Sequence, residues 1–225
     1  MAIFGWTTKN QTTTYTKKAR RKQMRQVRCT SSFRERASGQ SLKRSRPSSK
    51  RDLTQMEHLQ RILIFGNAGT GKTWLAREIG EILRRPAIHL DDLRWASGQY
   101  GVARDNQLVF DEVVEPGKAE SWLMEGVYGW LANAVLHRVT SLIWIDLPEE
   151  DCVANILARG IQGGGSEEDF QELIKWVREY RKRENSSTSY AGHEKLFEAC
   201  AGSKVLLKSR SEVINHAEII RAIAA

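Results

Sequence analysis

The octapeptide GNAGTGKT at residues 66–73 constrains this chain more than any other feature. It satisfies G-x-x-x-x-G-K-[ST] at every fixed position, and its flanks fix its setting. ILIF at 62–65 is a short, wholly apolar, β-favouring run, and TWLAREIGEILRR repeats apolar residues at helical spacing. The local reading is strand, glycine-rich turn, helix. Gly66, Gly69 and Gly71 open backbone conformations closed to other residues, so that successive N–H groups can converge on phosphate oxygens. Those donors stand at the amino end of a helix, where the dipole favours negative charge. Lys72 is spaced to reach β- and γ-phosphates, and the Thr73 hydroxyl to ligate Mg²⁺. The candidate cofactor-binding positions are therefore Gly66, Asn67, Ala68, Gly69, Thr70, Gly71, Lys72 and Thr73, with Trp74 directly behind them. ATP and Mg²⁺ are the cofactors implied.

Similar strand-like runs follow at 87–90, 121–124, 141–145 and 204–207, and helical patterns lie near 104–115, 128–138, 149–159, 167–184, 190–200 and 211–223. Strands alternating with helices predict an α/β fold. Its sheet is parallel and covered on both faces, and its ligand site lies at the carboxyl ends of the strands.

Acidic residues stand where those strands should end. Asp91 and Asp92 follow AIHL, and Glu125 follows SWLM and precedes Gly126. One such carboxylate can hold a metal-bound water and another can orient, or take a proton from, an attacking hydroxyl. Asp91 and Glu125 are the candidates for these catalytic and metal-linked roles, with Thr73 beside whichever of them holds the metal. Helix capping is the plainer explanation for any of them, Asp92 first. Asp146, before Leu147 and Pro148, reads as a turn residue.

Charge is unevenly divided. Of 35 basic and 27 acidic residues, residues 1–51 hold 15 bases and a single acid, Glu35, which leaves 20 bases against 26 acids in 52–225. The segment 1–57 is polar, without sustained apolar period, and is expected to be a disordered extension ahead of a domain at 58–225. Three readings of it stand side by side: a cationic arm making weak nucleic-acid contact, a transit peptide, or a stretch without function translated from a start upstream of Met56. No run of about 18 apolar residues suggests a membrane span. Cys29, Cys152 and Cys200 are far apart and show no CxxC spacing. A soluble, cytoplasmic protein with reduced thiols is expected. The five histidines show no metal-ligand spacing, and packing or a helix-end hydrogen bond explains His193.

In order, RILIFGNAGTGKTWLAREIGEIL, HLDDLRW, WLMEGVY and LIWIDLP resemble the adenylate-kinase-related P-loop proteins often labelled DNA topology modulation proteins. ELIKWVREYRKRENSSTSYAGHEKLFEA and GSKVLLKSRSEV are similar to the closing part of one branch, so the resemblance spans 61–223. It implies a P-loop kinase-like three-layer sandwich with a five-stranded sheet, the P-loop strand central, and a short lid at about 160–190. It further implies that Arg159 is a lid arginine with a catalytic role, that Asp91 faces the acceptor pocket, and that adenine lies against Lys208, Ser209 and Arg210. The implied activity is transfer of the γ-phosphate of ATP to a nucleotide or another small molecule. The alternative is a nucleotide-dependent regulatory or nucleic-acid-associated protein with weak ATPase activity. Where relatives have an arginine-rich lid, this chain has GIQGGGSEEDF, a loss that Arg178, Arg181 and Arg183 would offset if their helix swung over the site. A solvated helical face is the plainer reading of those three. Trp74, Trp122, Trp144 and Trp176 fit core positions, whereas Trp95 and Trp130 follow the acidic motifs and are candidates to line the acceptor pocket.

Overall fold

The computed structural model describes residues 57–96, 99–162 and 165–225; the expectations for residues 1–56, and for Gly163 and Gly164 of the lid, lie outside the described residues. In chain order the elements are β1 (Arg61–Gly66), α1 (Lys72–Leu83), β2 (Ala87–His89), α2 (Leu90–Arg94), β3 (Trp95–Ala96), β4 (Gln99–Ala103), α3 (Asn106–Gly117) and β5 (Trp122–Gly126). They continue with α4 (Gly129–Val135), β6 (Ser141–Ile145), α5 (Glu149–Arg159), α6 (Glu167–Arg178), α7 (Tyr190–Ala199), β7 (Ser203–Leu207) and α8 (Arg210–Ala224).

Five strands form one parallel sheet in the order β2-β5-β1-β6-β7, with the loop-bearing strand at its centre. β1 has both faces covered, which is why it reads as a continuous apolar run instead of an alternating one. Ile62 and Ile64 face a core completed by Leu75 and Ile79 of α1, Ile156 of α5, Val177 of α6 and Ile220 of α8. Leu63 and Phe65 face the opposite core, with Val109 and Val113 of α3, Leu131 of α4 and Leu196 of α7. The result is a three-layer α/β sandwich of the P-loop kinase-like type. No helix among the described residues is long and apolar enough to cross a membrane.

Several boundaries differ from the sequence reading, each for a local reason. β5 starts and ends later than 121–124, so Glu125 lies inside the strand, not after it. β2 stops at His89, and Leu90 opens α2 with Asp91 and Asp92 in its first turn, where acids favour a helix amino end. The helix expected over 167–184 ends at Arg178, because Tyr180 leaves the helical path to become fully buried. The antiparallel ribbon of β3 and β4 was not foreseen, since its strands are too short to show a period. Trp122 and Trp144 are core residues as expected, but Trp74 is not: it is 36% exposed, its side chain projecting beside the loop.

Candidate active site

The loop between β1 and α1 is braced from beneath. Gly69 takes φ 81°, and a Cβ there would stand 2.3 Å from the Cys152 carbonyl oxygen, so any other residue would both strain the turn and collide with α5. Asn67 is fully buried; its Nδ2 donates to the Val177 carbonyl at the end of α6 at 3.0 Å. Its own carbonyl accepts from Lys72 Nζ at 2.8 Å and from Thr70 Oγ1 at 3.0 Å. Asn155 of α5 donates to the Gly69 carbonyl at 2.8 Å. Gly66 and Asn67 thus lie under the loop, while Ala68, Gly69, Thr70, Gly71, Lys72, Thr73 and Trp74 line a cleft of about 1410 Å³. That volume exceeds the roughly 300–1,000 Å³ of a single small-ligand pocket and leaves room for two molecules.

The carboxyl ends of β2 and β5 bring the predicted acids to this cleft. Glu125 is 2% exposed, and its Oε1 accepts from Thr73 Oγ1 at 3.0 Å and from the ring N–H at His89 Nδ1 at 2.6 Å. Burial opposes its charge, but the His89 bond, the Lys72 ammonium and the Thr73 hydroxyl outweigh burial and hold Glu125 below the usual carboxylate range. His89 shifts the other way, raised chiefly by that same bond. Asp91 lies in the first turn of α2, and its Oδ1 accepts from the Val127 N–H at 2.8 Å. Desolvation raises its pKa against the pull of Lys72 and of that hydrogen bond. Gly126 makes the contact possible, because a Cβ there would stand 2.9 Å from Asp91 Oδ1 and 2.8 Å from Leu90 Cβ.

The Val127 turn is itself fixed by a buried chain of hydrogen bonds. Trp144 Nε1 donates to the Tyr180 hydroxyl at 3.2 Å, that hydroxyl meets His193 Nδ1 at 2.7 Å, and His193 Nε2 meets the Val127 carbonyl at 2.9 Å. A carbonyl can only accept, so Nε2 carries a proton; burial disfavours the charged ring, and in the neutral ring Tyr180 donates to Nδ1. Burial pushes the His193 pKa down to about 4.

Magnesium fits this arrangement. Glu125 Oε2 is buried without a hydrogen-bond partner, close to the loop threonine that its other oxygen holds. Such an orphaned anion is satisfied by a cation or its water. Among the described residues no group of three or more His, Cys, Asp or Glu side chains is arranged to hold a metal. The protein would therefore supply one hydroxyl and one carboxylate, with phosphate oxygens and waters completing the shell, as Mg²⁺ prefers.

On the other side of β1, Arg159 ends α5 and Arg210 begins α8, and both line the cleft with exposed side chains. Arg178, Arg181 and Arg183 do not line it. Arg178 faces Glu150 at 3.5 Å, and Arg181 pairs with Asp146 at 2.6 Å and Glu149 at 2.7 Å. Arg183 stacks 3.9 Å from the Trp176 ring centroid and donates to the Thr188 carbonyl. Asp146 is thus a buried ion-pair partner, more than a turn residue. Trp176 and Trp95 line the cleft, whereas Trp130 lines a separate, smaller groove. Sequence reasoning missed the link between His89 and Glu125, for which the alternation of His89 and Asp91 at a strand end was the available signal. It also missed Asn155, for which one helical asparagine offers no signal.

Strand order, central loop and acid-lined cleft together define a P-loop α/β fold of the kinase-like type. Neither a protein-family model nor a curated protein sequence matches the chain. Similar solved structures include a gluconokinase from Sinorhizobium meliloti 1021, with 13% identity and a TM-score of 0.45 over 73% of this chain and 93% of that one. A sugar kinase from Janibacter sp. HTCC2649 shows 14% identity and a TM-score of 0.43 over 74% and 98%. A shikimate kinase from Bacteroides thetaiotaomicron shows 14% identity and a TM-score of 0.45 over 73% and 97%. These likenesses are too distant to assign a reaction.

Proposed function

We propose that this protein is an ATP-dependent phosphotransferase that moves the γ-phosphate of ATP to a small hydroxyl-bearing acceptor. The observation that carries the reading is the convergence of Lys72, Thr73, Glu125 and Asp91 on one cleft beside a braced phosphate loop. Loop N–H groups and Lys72 bind the β- and γ-phosphates and hold them before the acceptor arrives. Thr73 and Glu125 would hold magnesium, which would supply neutralisation of charge on the phosphate oxygens. Asp91 lies on the acceptor side; its carboxylate, made more basic by burial, orients the attacking hydroxyl and takes its proton. The acceptor oxygen forms the new bond to the γ-phosphorus, the bond from that phosphorus to the β,γ-bridging oxygen breaks, and ADP leaves with the electron pair. Arg159 and Arg210 stand on the donor side, where Arg159 would meet charge on the moving phosphoryl group and Arg210 would border the base.

The resemblance to adenylate-kinase-related topology modulation proteins agrees with this reading, and buried free thiols at Cys152 and Cys200 suit a reducing cytoplasmic compartment. Lys72→Ala tests the donor site: the side chain is polar and belongs to the loop, so the fold should survive while acceptor-stimulated ADP release is nearly abolished. Unchanged turnover in that variant refutes the assignment. A protein of the regulatory class would instead show ATP consumption that responds to DNA or RNA and to no small acceptor.

A further inference from the structure

The sheet order separates the cleft into two halves with different chemistry. β6 and β7 lie on one side of the loop strand and carry Arg159 and Arg210 on the helices that follow them; β2 and β5 lie on the other. If the first half takes the nucleotide, the second takes the acceptor. That second half is acidic. Asp91, Asp92 and Glu125 line it together with His89, which is bonded to Glu125, and among the described residues Arg94 is the arginine that lines this side. Arg94 is already engaged at the base of the ribbon: Nη1 donates to the Arg104 carbonyl at 2.8 Å, and the guanidinium lies 5.6 Å from the Trp95 ring centroid. Trp95 and Tyr128 complete the wall, their rings edge-on at 6.4 Å.

Recognition of a phosphate or carboxylate calls for the reverse balance, a planar guanidinium or several N–H donors free to grip two oxygens. A second anion placed here would meet the carboxylates of Asp91 and Asp92 as well as the γ-phosphate of the nucleotide. Aromatic faces beside carboxylates suit flat uncharged rings and cations instead.

We propose that the phosphate acceptor is an uncharged or cationic alcohol that carries no phosphate or carboxylate of its own. This rests on the phosphotransferase reading above and narrows it, excluding nucleoside monophosphates as the natural acceptor. The step is the one already written, with the alcohol oxygen as nucleophile and Asp91 as proton acceptor.

The test uses the full chain with ATP and Mg²⁺ and a panel of matched pairs, each an alcohol and its phosphate monoester: adenosine and AMP, cytidine and CMP, ethanolamine and phosphoethanolamine, pyridoxine and its 5′-phosphate. ADP release gives kcat/KM, and calorimetry follows ATP binding separately. The unphosphorylated member of the responding pair should be preferred by about tenfold or more, the scale set by one uncompensated charge contact. Asp92 is exposed, so Asp92→Arg should fold and should narrow that gap several-fold by adding a cation and removing an anion. Phosphate esters that work as well as or better than their alcohols overturn the proposal. So does an absence of response to every member of the panel while ATP still binds. Loss of ATP binding itself, or indifference to Lys72→Ala, sinks the phosphotransferase reading and not merely the acceptor class.

Discussion

At the scale of single residues, the site depends on which groups hold charge and which aim it. Asp91→Asn keeps size and hydrogen bonding but removes the proposed proton acceptor, so turnover should fall by about 10²–10⁴-fold. Arg159→Ala should also lower turnover, since a cation there acts on charge that is still developing. In both variants ATP affinity measured by calorimetry should change by less than about tenfold, because in the proposed mode the loop would supply most phosphate contacts. Normal turnover in Asp91→Asn would move the proton-accepting role to Asp92 or Glu125. His89 makes a different prediction. Its 2.6 Å bond fixes Glu125 from behind, and such partners of a metal-linked carboxylate typically alter metal affinity about tenfold or more. His89→Ala should raise the Mg²⁺ concentration that half-saturates the ATP complex by roughly that factor, with metal-free ATP binding unchanged. Equal Mg²⁺ dependence in variant and parent would reduce His89 to packing.

At the scale of elements, the Val127 edge of the cleft is held by α7 and the turn after α6, through the chain from Trp144 and Tyr180 to His193 and the Val127 carbonyl. This is a buried polar network with every donor matched to an acceptor, the arrangement that rigidifies instead of destabilising. Its pH dependence has a definite sign. The folded His193 sits near 4, below its ordinary value of 6.5, so in between the unfolded chain binds a proton that the folded chain refuses. Stability should therefore be undiminished above about pH 6.5 and decline as pH falls towards about 4, by on the order of 3 kcal/mol for this group. Urea unfolding at several pH values, with His193→Gln alongside, separates this contribution from the other titrating groups. The variant should show the shallower decline; identical slopes would mean that His193 is not buried neutral.

At the scale of the whole molecule, the sandwich closes its two cores with residues from Leu59 onward, and Leu59 is 6% exposed. The segment before it is basic and polar and offers little apolar surface to bury. Deleting residues 1–55 should leave Tm and ATP affinity nearly unchanged, as differential scanning calorimetry and titration would show. A large drop in Tm would mean that the segment packs against the sandwich.

The sequence alone determined the strand, loop and helix around GNAGTGKT, because each constraint is local: apolar run, glycine conformations, helical period. It determined the α/β class as well, since strands buried on both faces must be apolar throughout and alternate with amphipathic helices. It also brought Asp91 and Glu125 forward, because a strand end in a parallel sheet has a known destination. Tertiary structure decided the rest. Glu125 meets Thr73 across 52 residues of chain and His89 across 36, and no period or motif encodes which oxygen each partner takes. Arg181 and Arg183, which the sequence offered as substitutes for lid cations, are committed to Asp146, Glu149, Trp176 and Thr188 once Tyr180 is drawn into the core. Trp74 fits a helical core position in the sequence, yet it faces the cleft, because the phosphate loop leaves the first turn of α1 uncovered. Periodicity says which residues can be buried, and only the packing of distant elements settles what each one meets.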